Sequence, residues 1–304
     1  SQSLTLADAS GASDVINLKI EQDGNLDVGA VTVTNVETIN LSVIDKFVDV
    51  SGAKDAFNQD ISDGKDDSNS AQGIALLANA SATINVTGSA DLTLDINDAN
   101  GPSQGTTLVD ATALTGAFTL IADGKTTGMT VKGGTGVNTL TADGTNDVFI
   151  GQGGNDKFTI GQLTTVTGGG GNDTIVFAVN ADQTNYSTVT DASAGDIIDF
   201  GISSNDLKWS STKVTLTAQA TFAQMLDEAA KTAAVADDIL VSWFQFGGNT
   251  YIVRDIDGDN GSSADLTSFD TTGDATGDSV LELQGLYDLS TAAVNDTAGT
   301  ITLA

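Results

Sequence analysis

The chain has 304 residues with 41 acidic and 11 basic side chains, a formal net charge of −30, and neither His nor Cys. Without imidazole or thiolate there is no Ser-His-Asp or Cys-His nucleophile and no ordinary zinc site, because those chemistries need a neutral ring nitrogen or a soft sulfur. Arg254 is the single arginine and the lysines are scattered, so no basic surface for nucleic acid or anionic lipid is expected, and any enzyme would have to run on carboxylates, hydroxyls and lysines.

Glu21, Glu37, Glu228 and Glu282 are the only glutamates, which leaves 37 of the 41 acids as Asp. Asp suits turns, where its short carboxylate bonds nearby backbone or reaches a metal. A charge this far from zero opposes a compact state unless something neutralises it. Hard, oxygen-ligated divalent cations, Ca²⁺ above all, are the natural candidates. No window approaches the roughly 18 apolar residues of a membrane span, so no membrane insertion is expected. Ser1 opens the chain with no basic and apolar leader, so no secretory signal peptide is expected, and the start reads as that of a processed chain or an excised fragment.

In chain order, residues 15–20, 31–36, 38–44, 82–86, 92–96, 106–109 and 118–121 are strand-like runs of Val, Ile, Leu and Thr bounded by Asp, Asn, Gly or Ser. They alternate with period two: Ile39, Leu41 and Val43 fall on one side, Thr38, Asn40 and Ser42 on the other. Short strands at this spacing predict a sandwich or a coil of stacked rungs. Residues 55–73, rich in Asp, Asn, Ser and Gly, predict a long surface loop, in which Asp60, Asp63, Asp66 and Asp67 are a flexible acidic stretch or a peripheral ion site.

The self-similar segment is 133–176. Residues 133–141 (GGTGVNTLT), 142–150 (ADGTNDVFI), 151–159 (GQGGNDKFT) and 168–176 (GGGGNDTIV) follow the nine-residue form G-G-x-G-x-D-x-U-x. Asn138, Asp147, Asp156 and Asp173 take its sixth place, and Leu140, Phe149, Phe158 and Ile175 its eighth. Glycines open backbone conformations that let carbonyl oxygens turn inward, the sixth residue supplies a hard anionic oxygen, and the eighth points into a core.

On these residues the segment resembles the RTX nonapeptide repeat, a Ca²⁺-binding parallel β-roll. In that family two nonapeptides make one coil, and turns on the same side share Ca²⁺. The resemblance places Asn138, Asp156 and Asp173 on one side, 18 and 17 residues apart, and Asp147 on the other, opposite Thr164 and Thr165. It implies about two ions. One would lie between the Asn138 and Asp156 turns with carbonyls of Gly133, Thr135, Gln152 and Gly154. The other would lie between the Asp156 and Asp173 turns with carbonyls of Gly151, Gly153, Gly169 and Gly171.

Downstream, residues 189–200 (VTDASAGDIIDF) resemble the segment that closes RTX arrays by covering the open end of the coil. One amphipathic helix is predicted from Thr221 and Gln224, a capping-box spacing, with Phe222, Met225, Leu226, Ala229, Ala230 and Ala233 at helical intervals. Residues 239–246, 249–253 and 280–283 predict strands, the first two joined by a hairpin at Gly247 and Gly248. Asp255, Asp257 and Asp259 have the first three spacings of an EF-hand loop, but Gly261 is displaced by one and Asp265 replaces the bidentate Glu. That stretch is equally a solvated acidic turn or a Ca²⁺ loop, and Asp270, Asp274 and Asp278 predict a solvated loop. The small, apolar, hydroxylated end 296–304 has the loose character of an uncleaved type I export signal in the RTX family.

The expected fold is therefore all-β: a parallel β-roll or β-solenoid with flanking β-rich segments and one short helix. The expected divisions are a β-rich assembly region at 1–130, the Ca²⁺-binding roll at 131–180 and a capping and export region at 181–304. Absent His excludes the serralysin metalloprotease branch, and absent long apolar helices exclude the pore-forming branch. Phrases such as VETINL at 36–41 and LVDATALTGA at 108–117 resemble the solenoid portions of RTX-type surface-layer proteins. This implies a Ca²⁺-dependent, self-assembling, non-enzymatic scaffold on the outside of a bacterial cell, with copies of itself as partner and a surface polysaccharide as anchor. The alternative is the stalk and secretion module of an RTX adhesin. A polysaccharide lyase or glycosidase built on Asp pairs is disfavoured, since Trp209 and Trp243 are the only tryptophans available as sugar platforms.

Overall fold

The computed structural model describes residues 2–4, 11, 13–22, 26–33, 36–45, 72–78, 82–98, 101–102, 106–122, 128–177, 185–202, 207–230, 239–255 and 278–304. The chain forms two compact units, 1–141 and 142–304.

In the first unit successive strands fall alternately into two sheets. One sheet runs Gln2–Leu4, Leu26–Val33, Gln72–Ala78, Leu92–Asp95, Phe118–Ala122; the other runs Val15–Gln22, Thr38–Asp45, Ala82–Gly88, Thr106–Leu114, Thr130–Lys132. Neighbours are parallel throughout. This is the wiring of a β-solenoid, in which each coil contributes one strand to each sheet and buries its apolar face by stacking on the next.

Register makes columns of like residues. Ile16, Ile39, Ile84, Val109 and Val131 are successive partners, and all five are buried. Each such side chain contributes about 1.5–3 kcal/mol by leaving water. One residue along, Asn17, Asn40, Asn85, Asp110 and Lys132 form the matching outer column. Asn40 Nδ2 donates to Asn17 Oδ1 at 2.8 Å and Asn85 Nδ2 to Asn40 Oδ1 at 2.9 Å. An ion pair of Lys132 with Asp110 at 2.8 Å ends the column. Burial alone would raise the Asp110 carboxyl, but the Lys132 ammonium and the Thr112 hydroxyl and N–H outweigh it and hold it below its ordinary range.

Several strands of this unit differ from the sequence expectation, Gln2–Leu4 and Thr130–Lys132 lying outside the expected runs. The strand expected at 31–36 begins at Leu26; Gly29 at φ +71° makes a bulge inside it, so its first half lacks simple alternation. Gln72–Ala78 is a strand whose first two residues lie in the expected 55–73 loop. Thr106–Leu114 runs past the expected end at 109, with a register shift where Asp110 folds back on Thr112.

The second unit begins the same way and ends differently. Lys157–Gln162, Thr174–Val176 and Ile197–Asp199 are parallel neighbours in one sheet, and Val148–Ile150, Thr165–Thr167, Ser187–Val189 and Ser279–Leu283 in the other. Phe149 and Phe158, from opposite sheets, stack with centroids 6.0 Å apart. The 189–200 segment thus supplies a further strand of the stack, and in the sheet of Ile197–Asp199 parallel pairing stops there. Thr300–Thr302 pairs antiparallel with Ile197–Asp199, and Ala293–Asn295 antiparallel with Thr300–Thr302. The stretch expected as an export signal is therefore folded into the sheet, with Ile301 and Leu303 buried. On the other sheet Asn249–Asp255 and Ile239–Phe246 add antiparallel strands, and Leu207–Trp209 forms the last.

The helix Phe222–Ala230 covers one face of these strands through Met225, Leu226 and Ala229, which pack on Phe244, Tyr251, Val253 and Val280. Its capping box is closed at both ends: Thr221 N donates to Gln224 Oε1 at 2.9 Å and Gln224 N to Thr221 Oγ1 at 3.3 Å. Ala233 lies outside the described residues.

Candidate metal centre

The nonapeptide turns at 151–156 and 168–173 lie one above the other in the second unit. Gly153 and Gly170 form a parallel bridge, Gly170 N donates to Gln152 O at 3.1 Å, and Asn172 N donates to Asn155 Oδ1 at 2.9 Å. The glycines are demanded at the points of closest approach. Gly169 (φ +96°) and Gly171 (φ +126°) lie where an added Cβ would meet Gln152 O at 2.2 Å and Gly154 O at 1.9 Å.

The sixth-position acids follow at the start of each strand. Asp156, Asp173 and Asp196 occupy one column, since Lys157, Thr174 and Ile197 are successive partners. Asp156 N donates to Asp173 Oδ1 and Asp173 N to Asp196 Oδ1, each at 2.9 Å. Asp191 caps the Gly168–Asp173 turn from the next coil, accepting Gly168 N at 2.8 Å and Gly169 N at 2.9 Å. Burial raises the Asp173 carboxyl above its ordinary range, and the Asp196 and Asp191 carboxylates add to this while the Asp156 N–H offsets part. A cation beside Asp173 would relieve both causes.

The residues fit a hard divalent ion. A Cβ added at Gly151 would run into Asp156 Oδ2, Gly168 O and the Phe158 ring, so a carboxylate and a carbonyl from successive turns come together at this glycine. A Cβ added at Gly168 would likewise run into Asp173 Oδ2. Oxygen-only donors of mixed carboxylate and carbonyl type are what Ca²⁺ takes. Among the described residues no three acidic side chains converge as a metal cluster, so backbone carbonyls must supply most of any coordination shell.

Asp147 is buried in a different column, in which the residues before Val148, Thr165 and Thr188 are Asp147, Thr164 and Ser187. Thr164 N donates to Ser187 Oγ at 3.0 Å, so hydroxyls take the place that carboxylates have in the Asp156 column. In the first unit the turn with Gly133 and Thr135 ends on Asn138, whose amide closes the turn on itself. Gly134 N donates to Asn138 Oδ1 at 2.8 Å, and Asn138 Nδ2 donates to Gly134 O at 3.2 Å and Gly136 O at 2.9 Å. A neutral amide can thus hold the turn that a carboxylate would leave open to a cation.

Asp255 ends the strand Asn249–Asp255 and is half-buried. Asp257, Asp259 and Asp265 lie outside the described residues, as do Asp60, Asp63, Asp66, Asp67, Asp270 and Asp274. Asp278, expected in a solvated loop, is buried, because the apolar strand Ser279–Leu283 carries it inward. Sequence reasoning placed 189–200 over the end of the coil but did not single out Asp191 and Asp196 as partners of the repeat turns. The signal was present, since Asp196-Ile-Ile repeats the acid, any residue, apolar order of Asp173-Thr-Ile.

A family model of the RTX calcium-binding nonapeptide repeat (HemolysinCabind) matches the chain in four copies, over residues 130–159 and 165–183. No curated protein matches the chain. The matched residues include both stacked turns and their acids, so the repeats at 130–183 are calcium-binding repeats of the RTX type.

Proposed function

We propose that this chain, which carries RTX calcium-binding repeats, is the lattice-forming part of a bacterial surface-layer protein, exported by a type I route and folded by external Ca²⁺. The observation that carries the reading is the stacked pair of turns at 151–156 and 168–173, where carboxylate and carbonyl oxygens of successive coils come together at Gly151. Carbonyls of Gly151, Gly153, Gly169 and Gly171, with the carboxylates of Asp156 and Asp173, would hold an ion there. Bound Ca²⁺ supplies two positive charges to a column of acids that otherwise repel one another.

The chain's own residues do the rest. The glycines let the coils approach, Asp173 and Asp196 hold the N–H groups of Asp156 and Asp173, each one coil away, and Phe158 and Ile175 fill the core behind the turns. Because the site needs two coils already stacked, ion binding is coupled to folding. In a low-Ca²⁺ cytosol the acids favour an open, exportable chain; outside, the same acids favour the coil. One ion offsets two of the 41 acidic charges, which leaves a surplus for ions held elsewhere, including between copies of the chain. A second copy is the partner in this reading, and a surface polysaccharide the anchor.

Electron microscopy of the purified chain with and without Ca²⁺ tests it. Ordered two-dimensional sheets that appear with Ca²⁺ and dissolve in chelator are the expected result. Isolated rods in saturating Ca²⁺ would instead fit an adhesin stalk and overturn the lattice. Far-UV circular dichroism unchanged by chelator would overturn Ca²⁺-driven folding itself.

A further inference from the structure

In the first unit the turns at 88–91, 114–117 and 133–138 lead from one sheet into the other, as the calcium turns do in the second. Backbone bonds tie them coil to coil: Thr115 N donates to Gly88 O at 3.0 Å and Thr135 N to Leu114 O at 3.1 Å. A Cβ added at Gly116 would run into Ala90 O, one at Gly134 into Leu114 O, and one at Gly136 into Gly116 O. Successive coils therefore approach one another here, backbone against backbone, as they do at Gly169 and Gly171.

The charges at the two sets of turns differ. In the second unit Asp156, Asp173 and Asp196 end the turns of successive coils, and three neighbouring carboxylates repel one another without a cation. In the first unit the same place is taken by Asp91, Ala117 and Asn138. Asp91 and Ala117 precede the register partners Leu92 and Phe118, and Phe118 N donates to Val137 O on the next coil. The single acid is already committed, since Ala117 N donates to Asp91 Oδ1 at 2.7 Å. Asn138 is fully buried. Its Oδ1 accepts Gly134 N, and its Nδ2 donates to Gly134 O and Gly136 O. Two carbonyls turned inward are what a divalent ion coordinates; here one amide N–H₂ satisfies both. At the entrance to this turn Lys132 brings a positive charge from within the chain, paired with Asp110 at 2.8 Å. The calcium turns have Ile150 and Thr167 in that place.

We propose that the coils of residues 82–138 hold their fold without metal, and that Asn138 is the residue that frees them from calcium. The inference rests on calcium binding by the repeats and not on the surface layer. It fixes what the Asn138 side chain must do. An Asp in its place sets a carboxylate oxygen against Gly134 O and Gly136 O, so that three acceptors meet with no donor between them. Such a turn closes only around a cation, and replacing one N–H₂ group by an oxygen converts it to the calcium-dependent kind.

Hydrogen exchange of the full chain, read segment by segment in chelator and in saturating Ca²⁺, tests this. In chelator the strands at 82–88, 106–114 and 118–122 should keep their protection, while those at 157–162 and 174–176 exchange roughly a hundredfold faster than in Ca²⁺. Asn138→Asp should speed exchange at 118–122 and 130–132 by about tenfold or more in chelator, and Ca²⁺ should reverse it. Asn138→Ala, which neither closes the turn nor holds an ion, should speed exchange equally in both conditions. Loss of protection across both units of the wild-type chain in chelator overturns the inference and leaves calcium-driven folding standing. Protection retained everywhere in chelator overturns both. An Asn138→Asp chain that exchanges like wild type in chelator, or whose faster exchange Ca²⁺ does not reverse, overturns the role of Asn138.

Discussion

Asp173 Oδ1 accepts the backbone N–H of Asp156 one coil away, at 2.9 Å, and Asp173 passes its own N–H to Asp196 Oδ1 at the same distance. Asp173 therefore does two jobs. Its Oδ1 ties a neighbouring coil in place, and its Oδ2 lies against Gly168 at the turn.

The first expectation concerns the last acid of the column. Asp196 accepts Asp173 N with one oxygen, and Ser193 N at 2.7 Å and Ser193 Oγ at 3.2 Å with the other. Asp196→Ala removes these acceptors at a buried position, which costs about 2–3 kcal/mol. Asp196→Asn keeps an acceptor and removes a charge that raises Asp173, so it should cost less. Urea unfolding in chelator measures both, and equal losses would contradict the account.

The second concerns sidedness. Asp156→Ala should weaken Ca²⁺ binding at least tenfold more than Asp147→Ala, a difference of about 1.4 kcal/mol. Asp156 has Asp173 as its column neighbour, whereas the residues that follow Asp147 in its column are Thr164 and Ser187. Calorimetric titration of the two variants decides it, and equal losses of affinity would refute the assignment.

Much of this was legible because the repeats carry their period in the chain. Lys157 pairs with Thr174 and Val148 with Thr165, each 17 residues on. In the first unit the corresponding steps are uneven: Ile16 to Ile39 is 23 residues, and Ile39 to Ile84 is 45. The same stacking there has no fixed period to detect, and only the alternation within each strand survives as a signal. Gly29 hides half of one strand by breaking even that.

The third expectation separates steric from conformational demand on glycine. Gly171→Ala places a Cβ 1.9 Å from Gly154 O at φ +126°. It should cost about 3 kcal/mol or more and abolish Ca²⁺-induced folding. Gly247, at φ +61°, has nothing within 4 Å of the same point, so Gly247→Ala should cost only about 1 kcal/mol. Thermal melts of both variants check the contrast, and a mild Gly171→Ala would mean that the turns are not packed this closely in solution.

The last concerns pH and changes sign with the metal. Burial, then the Asp196 and Asp191 carboxylates, raise the folded-state pKa of Asp173. A carboxyl whose folded pKa exceeds its unfolded one binds its proton more tightly in the native state, so stability rises as pH falls through the folded value. The net charge of −30 acts in the same direction, since protonation lessens self-repulsion. In chelator, the unfolding midpoint should therefore climb as pH falls from neutral toward the ordinary carboxylate range. In saturating Ca²⁺ it should fall over the same range, because the ion needs the ionised carboxylate and protons compete with it. Asp173→Asn should flatten both slopes, which separates this residue from the diffuse charge. Melts in chelator and in Ca²⁺ that run parallel across this range would remove Asp173 from the calcium site.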